Sequence, residues 1–352
     1  MSNSVRILTL LGNNYGGCLQ AYALYQSLKK YEEDVKIIEY YPFSSNKNIK
    51  YFLKSIIYYK RNKRFSDFRN SFMDILHTNN ILKDDFKSIY IVGSDQVWNP
   101  CIDFEIRKNY YLKFVNDKSR KNSYAASIGV DIIDNDKDNI KLISDMLLDF
   151  NFITVREKTA NTIISNIVDA KISTVLDPTL LLTSYEWEKL ITKNVQKEKY
   201  ICVYTLGLDN QYCESINYIS ELCGFKIVDI YYKKRFNNEL RNENNYGPVE
   251  FISSIYNSEF VITNSFHGTV FAVLFHKKFI TITRGNMNSR IYDLLSILGL
   301  EDRIVSEEKI KTHSKELINK DIDYIKVDKI LEIERKNSLN HLKEMIYYDG
   351  RE

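Results

Sequence analysis

The chain has 352 residues, 44% of them hydrophobic, and carries 49 Lys and Arg against 46 Asp and Glu for a net charge of +3. That length exceeds one ordinary core and points to two domains, while the near balance of charge gives no reason to expect a nucleic-acid partner. No run approaches the ~18 consecutive apolar residues of a membrane span, and the apolar stretch 5–11 is too short for a signal-peptide core, so the chain reads as cytoplasmic with at most peripheral membrane contact.

Short β-rich runs alternate with longer helical patterns. Residues 5–10 (VRILTL) read as a strand entering a turn at Gly16 and Gly17. Leu19, Tyr22, Ala23, Leu24 and Leu28 then recur near the helical period. Residues 35–41 form the next strand, stopped by Pro42, which completes a strand–helix–strand unit. Residues 49–87 read as helical and irregular. They include the basic run Lys60-Arg61-Asn62-Lys63-Arg64, either a solvated helix end or a surface for an anionic or membrane-associated acceptor. Residues 88–93 are a strong buried strand, with further strands at 123–128 and 152–156. Each leads into a polar or glycine turn and then a helical stretch, as in a parallel sheet flanked by helices. Residues 174–178 close this half, and the pattern restarts at 200–207. More strands follow at 226–230, 260–263 and 279–283, with a helix at 269–275.

The expected fold is α/β, with two doubly wound Rossmann-like domains facing across a cleft in a glycosyltransferase-B-like arrangement. The carboxyl ends of both sheets would line that cleft. The boundary is expected between about residues 179 and 199. This gives 1–185 as an N-terminal Rossmann-like domain, 186–335 as a C-terminal Rossmann-like domain and 336–352 as a C-terminal helix or tail. Five cysteines without a C-x-x-C pair argue against a disulfide framework or a zinc ribbon. No cluster has metal-ligand spacing, so no bound metal is expected.

Three segments stand out: Gly93-Ser94-Asp95-Gln96-Val97-Trp98-Asn99-Pro100, Asp177-Pro178-Thr179-Leu180-Leu181-Leu182 and Thr263-Asn264-Ser265-Phe266-His267-Gly268-Thr269. Asn13-Asn14-Tyr15-Gly16-Gly17 precedes them and Asn288-Ser289-Arg290-Ile291 follows. In this order and spacing, over residues 5–303, the set resembles the polysaccharide pyruvyltransferase family. The resemblance implies a transferase that moves the three-carbon unit of phosphoenolpyruvate, its donor substrate, onto two hydroxyls of a saccharide or lipid-linked saccharide. A ketal carbon that keeps its carboxylate joins the two oxygens, and phosphate leaves. It implies no cofactor, and a place in the synthesis of a bacterial cell-surface polysaccharide. One position departs from the pattern. Some members carry an arginine two residues before the motif histidine, where this chain has Ser265. The donor therefore stays open between phosphoenolpyruvate and a nucleotide sugar, and a non-catalytic relative is a third reading.

Such chemistry needs an anion clamp, a proton donor and a base. His267, between a strand and a helix, is the proton-transfer candidate, against a histidine that merely caps or packs. Asn264, Ser265 and Gly268 surround it at a helix start whose amides and dipole suit phosphate, with Gly268 letting backbone approach the ligand. Arg156, ending a buried strand, is the candidate clamp; the plainer alternative is an ion pair with Glu157. Arg284 and Arg290 are further clamp candidates, each weighed against a surface ion pair. Asn14, Tyr15 and Gly16 read as acceptor-side lining, since their loop is neither G-x-G-x-x-G nor a P-loop. Cys18, at the helix start, is either a nucleophile or a buried thiol. Ser94, Asp95 and Gln96 follow a strong strand and are expected at the site. Asp95 would take a proton from a sugar hydroxyl, or else cap a helix. Trp98 offers a face for a sugar ring, or belongs to the core. Asp177-Pro178 reads as a turn.

Overall fold

The structure, a computed structural model, describes residues 3–40, 58–78, 82–130, 132–192, 198–207, 210–230, 235–236, 238–241, 245–283, 289–306 and 309–348. Two compact units divide the chain. The first is Met1–Asn46, Arg69–Leu182 and Glu332–Glu352; the second is Lys47–Phe68 and Thr183–Leu331.

The first unit is built on β1 (Val5–Leu8), β2 (Val35–Glu39), β3 (Ile75–His77), β4 (Ile89–Gly93), β5 (Lys121–Ala126), β6 (Phe152–Val155) and β7 (Ile172–Thr174). They form one parallel sheet in the order β3-β2-β1-β4-β5-β6-β7. The second is built on β8 (Tyr200–Tyr204), β9 (Lys226–Asp229), β10 (Glu239–Arg241), β11 (Phe260–Thr263), β12 (Lys278–Thr283) and β13 (Ile304–Ser306). This sheet is also parallel, in the order β10-β9-β8-β11-β12-β13. Both orders are doubly wound. The winding reverses between β1 and β4 and between β8 and β11, and in such sheets the loops beyond those strand ends diverge to leave room for a ligand.

Burial explains why the central strands were legible as apolar runs. All four residues of β11 are buried, and so are Ile91, Val92 and Gly93 of β4. Helices cover both faces of a parallel sheet, so its strands need not alternate polar and apolar residues. The edges behave differently. β3, β7, β10 and β13 are each three residues long. β3 and β7 contain no fully buried residue. Short, partly polar edge strands resist pairing with other chains, and they give little apolar signal.

Gly16 and Gly17, expected in a turn, lie inside the first turn of the helix Tyr15–Lys29. The segment expected as a separate C-terminal helix or tail groups with the first unit. There Ser338 Oγ accepts the Leu176 amide at 3.0 Å, Arg335 Nε donates to the Leu180 carbonyl at 2.8 Å, and Asn3 Nδ2 donates to the Ile346 carbonyl at 2.8 Å. Among the described residues no helix is long and apolar enough to cross a membrane.

Candidate functional site

In the first unit the loops leaving β1 and β4 are bonded together. Thr9 Oγ1 donates to the Ser94 carbonyl at 3.0 Å and accepts from Gln20 Nε2 at 2.9 Å. β4 leaves the sheet at Gly93, where a Cβ would sit 2.0 Å from the Tyr124 carbonyl oxygen, so a side chain there would force β4 and β5 apart. Two residues on, Asp95 takes φ +66°. The left-handed region is uncommon outside glycine and costs energy that the surroundings must supply. Here the Asp95 carbonyl accepts from the Val97 amide at 2.8 Å and the Ser127 amide at 3.1 Å, and its carboxylate accepts from the Gln96 amide at 2.9 Å. Asp95 is half-buried and caps no helix.

Beside it, Arg156 follows β6 with 2% of its side chain exposed. Nη1 lies 2.7 Å from Asp177 Oδ2, and Nε 3.6 Å from Glu157 Oε2. Asp177 also accepts from the Thr179 amide at 3.0 Å, Thr179 Oγ1 at 2.6 Å and Ser94 Oγ at 3.3 Å. Burial alone would lower the Arg156 pKa, but the nearby Asp177, Glu157 and Asp95 carboxylates outweigh it and raise the pKa above the ordinary value. Arg156 is thus a fixed internal charge, already engaged by two carboxylates, rather than the open clamp expected from sequence. Asp177, read as a turn, is its closer partner.

Other expectations for this unit are corrected by burial. Trp98 is 0% exposed; its Nε1 donates to the Tyr110 carbonyl at 2.9 Å, and its ring stacks on Tyr111 at 5.4 Å. It is core and presents no face to a sugar. Ser94 is fully buried, with its hydroxyl on Asp177. Gln96 Oε1 accepts from Asn99 Nδ2 at 2.6 Å, and a Cβ on Gly129 would lie 2.4 Å from Gln96 Cδ. Asn14 is the exposed N-cap of its helix, with Oδ1 accepting the Gly17 amide at 2.5 Å. Tyr15 and Gly16 are buried behind it. Cys18 is buried too, and burial pushes its thiol up to about 12, partly opposed by the Arg69 charge. This excludes a ready nucleophile. Arg69 itself belongs to no motif of the sequence. It lies in the last turn of the helix Tyr59–Phe72, is buried, and donates through Nη1 to Asn13 Oδ1 at 2.7 Å. The basic run before it is partly spent, since Arg61 lies over Phe65 at 5.0 Å and Arg64 pairs with Glu250 at 3.0 Å.

In the second unit β11 ends at Thr263, whose Oγ1 donates to the Tyr204 carbonyl at 2.6 Å and accepts the Ser265 amide at 3.0 Å. Asn264 clasps the backbone of Leu206. Its Nδ2 donates to the carbonyl and its Oδ1 accepts the amide, both at 2.8 Å. The amide expected to bind ligand is therefore committed to joining the ends of β8 and β11. Ser265 is the N-cap of the helix Phe266–Leu274, and its carbonyl accepts the Thr269 amide at 3.0 Å. His267 is the second residue of this helix, 8% exposed, with its ring edge-on to Phe266 at 5.2 Å. The first turn carries no acidic side chain to offset the positive end of the helix dipole. At Gly268 a Cβ would fall 2.2 Å from Thr263 Oγ1. The packing of helix on strand is thus enough by itself to require the glycine. Arg290 opens the helix Ser289–Leu298. Arg284 lies outside the described residues.

Asp95 and Arg156 come together in the first unit, and Asn264, Ser265, His267 and Gly268 in the second. A family model described as polysaccharide pyruvyl transferase matches residues 14–286, a span that takes in both groups. The chain belongs to the polysaccharide pyruvyl transferase family. Solved structures similar to this pyruvyl transferase family member include a putative UDP-N-acetylglucosamine 2-epimerase from Listeria monocytogenes (TM-score 0.57, 10% identity, covering 100% of this chain and 98% of that one). The UDP-GlcNAc 2-epimerase of Neisseria meningitidis, bound to UDP-GlcNAc, has TM-score 0.55 and 12% identity, covering 99% of this chain and 100% of that one. Medicago truncatula UGT71G1, complexed with UDP-glucose, has TM-score 0.52 and 8% identity, covering 98% of each chain. At these identities the likeness shows the fold: two parallel-sheet α/β domains of glycosyltransferase-B type. No curated protein matches the chain. Among the described residues no three His, Cys, Asp or Glu side chains are grouped so as to hold a metal ion.

Proposed function

We propose that this family member transfers the pyruvyl group of phosphoenolpyruvate to two hydroxyls of a saccharide or lipid-linked saccharide on the way to a cell-surface polysaccharide. The observation that carries the reading is the capped helix start at Ser265, with His267 in its first turn and no acidic side chain there. Helix starts favour anions through their amides and dipole, and phosphoenolpyruvate is an anion at both ends. In this reading the imidazole of His267 moves the proton that the enol methylene gains. Asp95 takes a proton from an attacking hydroxyl. C2 gains two C–O bonds to the sugar, its bond to the phosphate oxygen breaks, and phosphate departs with the second hydroxyl's proton. The donor is a cytoplasmic metabolite, so the expected location is the cytoplasm.

His267→Gln tests this. With phosphoenolpyruvate and a panel of glycosides, phosphate release should fall by about 10²–10⁴-fold, while far-UV circular dichroism stays that of the parent. Unchanged release would remove His267 from the chemistry.

A second reading keeps the site and changes the donor to a nucleotide sugar. Ser265 in the place of an arginine favours it, as do the UDP-sugars bound to two of the similar structures. A ligand of the folded state raises the melting temperature. Stabilisation by UDP-GlcNAc or UDP-glucose but not by phosphoenolpyruvate would select this reading.

A further inference from the structure

Glu157 is 2% exposed and has no part in the chemistry above. Its Oε1 is a shared acceptor for Ser127 Oγ at 2.6 Å, the Ile128 amide at 3.2 Å and the Gly129 amide at 3.4 Å. One carboxylate oxygen thus gathers three successive residues of the loop after β5. That loop is in turn stitched to the loop after β4. The Ser127 amide donates to the Asp95 carbonyl at 3.1 Å, and the Trp98 amide donates to the Ser127 carbonyl at 3.2 Å. Gly129 backs so closely on Gln96 that a Cβ would meet its side chain at 2.4 Å. Asp95, in the middle of this lacing, holds φ +66°. A non-glycine residue stays in that region only where its neighbours impose it.

We infer that Glu157 is a positioning residue: it fixes the 127–129 loop, and through it holds Asp95 in the left-handed conformation on which the direction of its carboxylate depends. The functional consequence rests on the proposed role of Asp95 as base. The simpler role for Glu157, a partner for Arg156 at 3.6 Å, accounts for its other oxygen but not for the three bonds to Oε1.

Amide hydrogen exchange on the full chain separates the two. Glu157→Ala should speed exchange at the Val97, Trp98 and Ser127 amides by about tenfold or more, with Ile91 and Val92 of β4 unchanged. Glu157→Gln should restore protection, because its carbonyl oxygen accepts the same three bonds. Unaltered exchange at the three amides in Glu157→Ala overturns the inference. So does an equal rise across β4, which would reduce Glu157 to general stability. Should Glu157→Ala fail to fold, Ser127→Ala leaves the Arg156 pair intact and should show the same local rise, smaller; no rise there overturns the inference equally. Phosphate release from phosphoenolpyruvate with the glycoside panel adds the functional arm. Glu157→Ala should lower kcat and leave KM for phosphoenolpyruvate in place, with Gln restoring kcat. Asp95→Asn tells the two ideas apart: parental turnover in that variant removes Asp95 as base, while the exchange result still decides Glu157.

Discussion

Arg156 and Asp177 form a buried ion pair, Nη1 to Oδ2 at 2.7 Å, that ties the end of β6 to the turn after β7. Neither side chain is more than 2% exposed. Removing one partner would strand the other charge away from water, which costs about 3–5 kcal/mol in buried pairs. Arg156→Ala should therefore lower the stability of the chain by that amount in urea denaturation. A loss under about 1 kcal/mol would mean that water or a neighbour neutralises Asp177.

Gly268→Ala should destabilise without touching any candidate catalytic group. The new methyl group would be 2.2 Å from Thr263 Oγ1, which is itself engaged with Tyr204 and Ser265. Overpacking of this kind costs about 1–3 kcal/mol. A melting temperature equal to the parent's would show that the helix can shift away from β11.

Asp84 sets a pH dependence. Arg120 binds it through two nitrogens, at 2.8 and 2.6 Å, and this hydrogen bonding is the main reason its pKa falls from an ordinary 3.8 to about 2. A depressed folded-state pKa adds stability above the unfolded value, and loses it as pH falls through the folded one. The pair should thus stabilise the chain by about 2 kcal/mol at neutral pH. The difference between the parent and Asp84→Asn should shrink from pH 4 toward pH 2. Denaturant titrations across that range measure it, and a difference independent of pH would refute the assignment.

Alkylation should sort the cysteines by exposure. Cys101 is exposed, whereas Cys18 and Cys202 are buried and burial raises both thiols. At pH 8 iodoacetamide should label Cys101 in the folded protein and reach Cys18 and Cys202 only after unfolding. Mass spectrometry of the labelled peptides reads this directly, and early labelling of Cys18 would contradict its place in the core.

The central strands were legible because a parallel sheet buries both faces and writes itself as apolar runs such as Phe260–Thr263. The edges were not, since Ile75–His77 and Ile172–Thr174 are short and partly solvated. Within the site, position along the chain was readable but direction was not. Trp98 and Ser94 sit within three residues of Asp95 in sequence, yet both turn inward and are fully buried while Asp95 is half-buried. Which way each turns depends on Tyr111, Tyr110 and Asp177, residues 12 to 83 positions distant. Asn264 likewise looks like a ligand group until Leu206, 58 positions away, takes both ends of its amide. Arg69 gave no signal because its partner Asn13 is 56 residues off.

The bonds from Ser338 to Leu176, Arg335 to Leu180 and Ile346 to Asn3 have a consequence for biosynthesis. The ribosome delivers β1 to β7 well before the helical stretch that bonds to their unit. All the strands of the second sheet are in place before that stretch appears. The half of the protein that is made first therefore gains these three bonds only after the strands of both sheets have been synthesised.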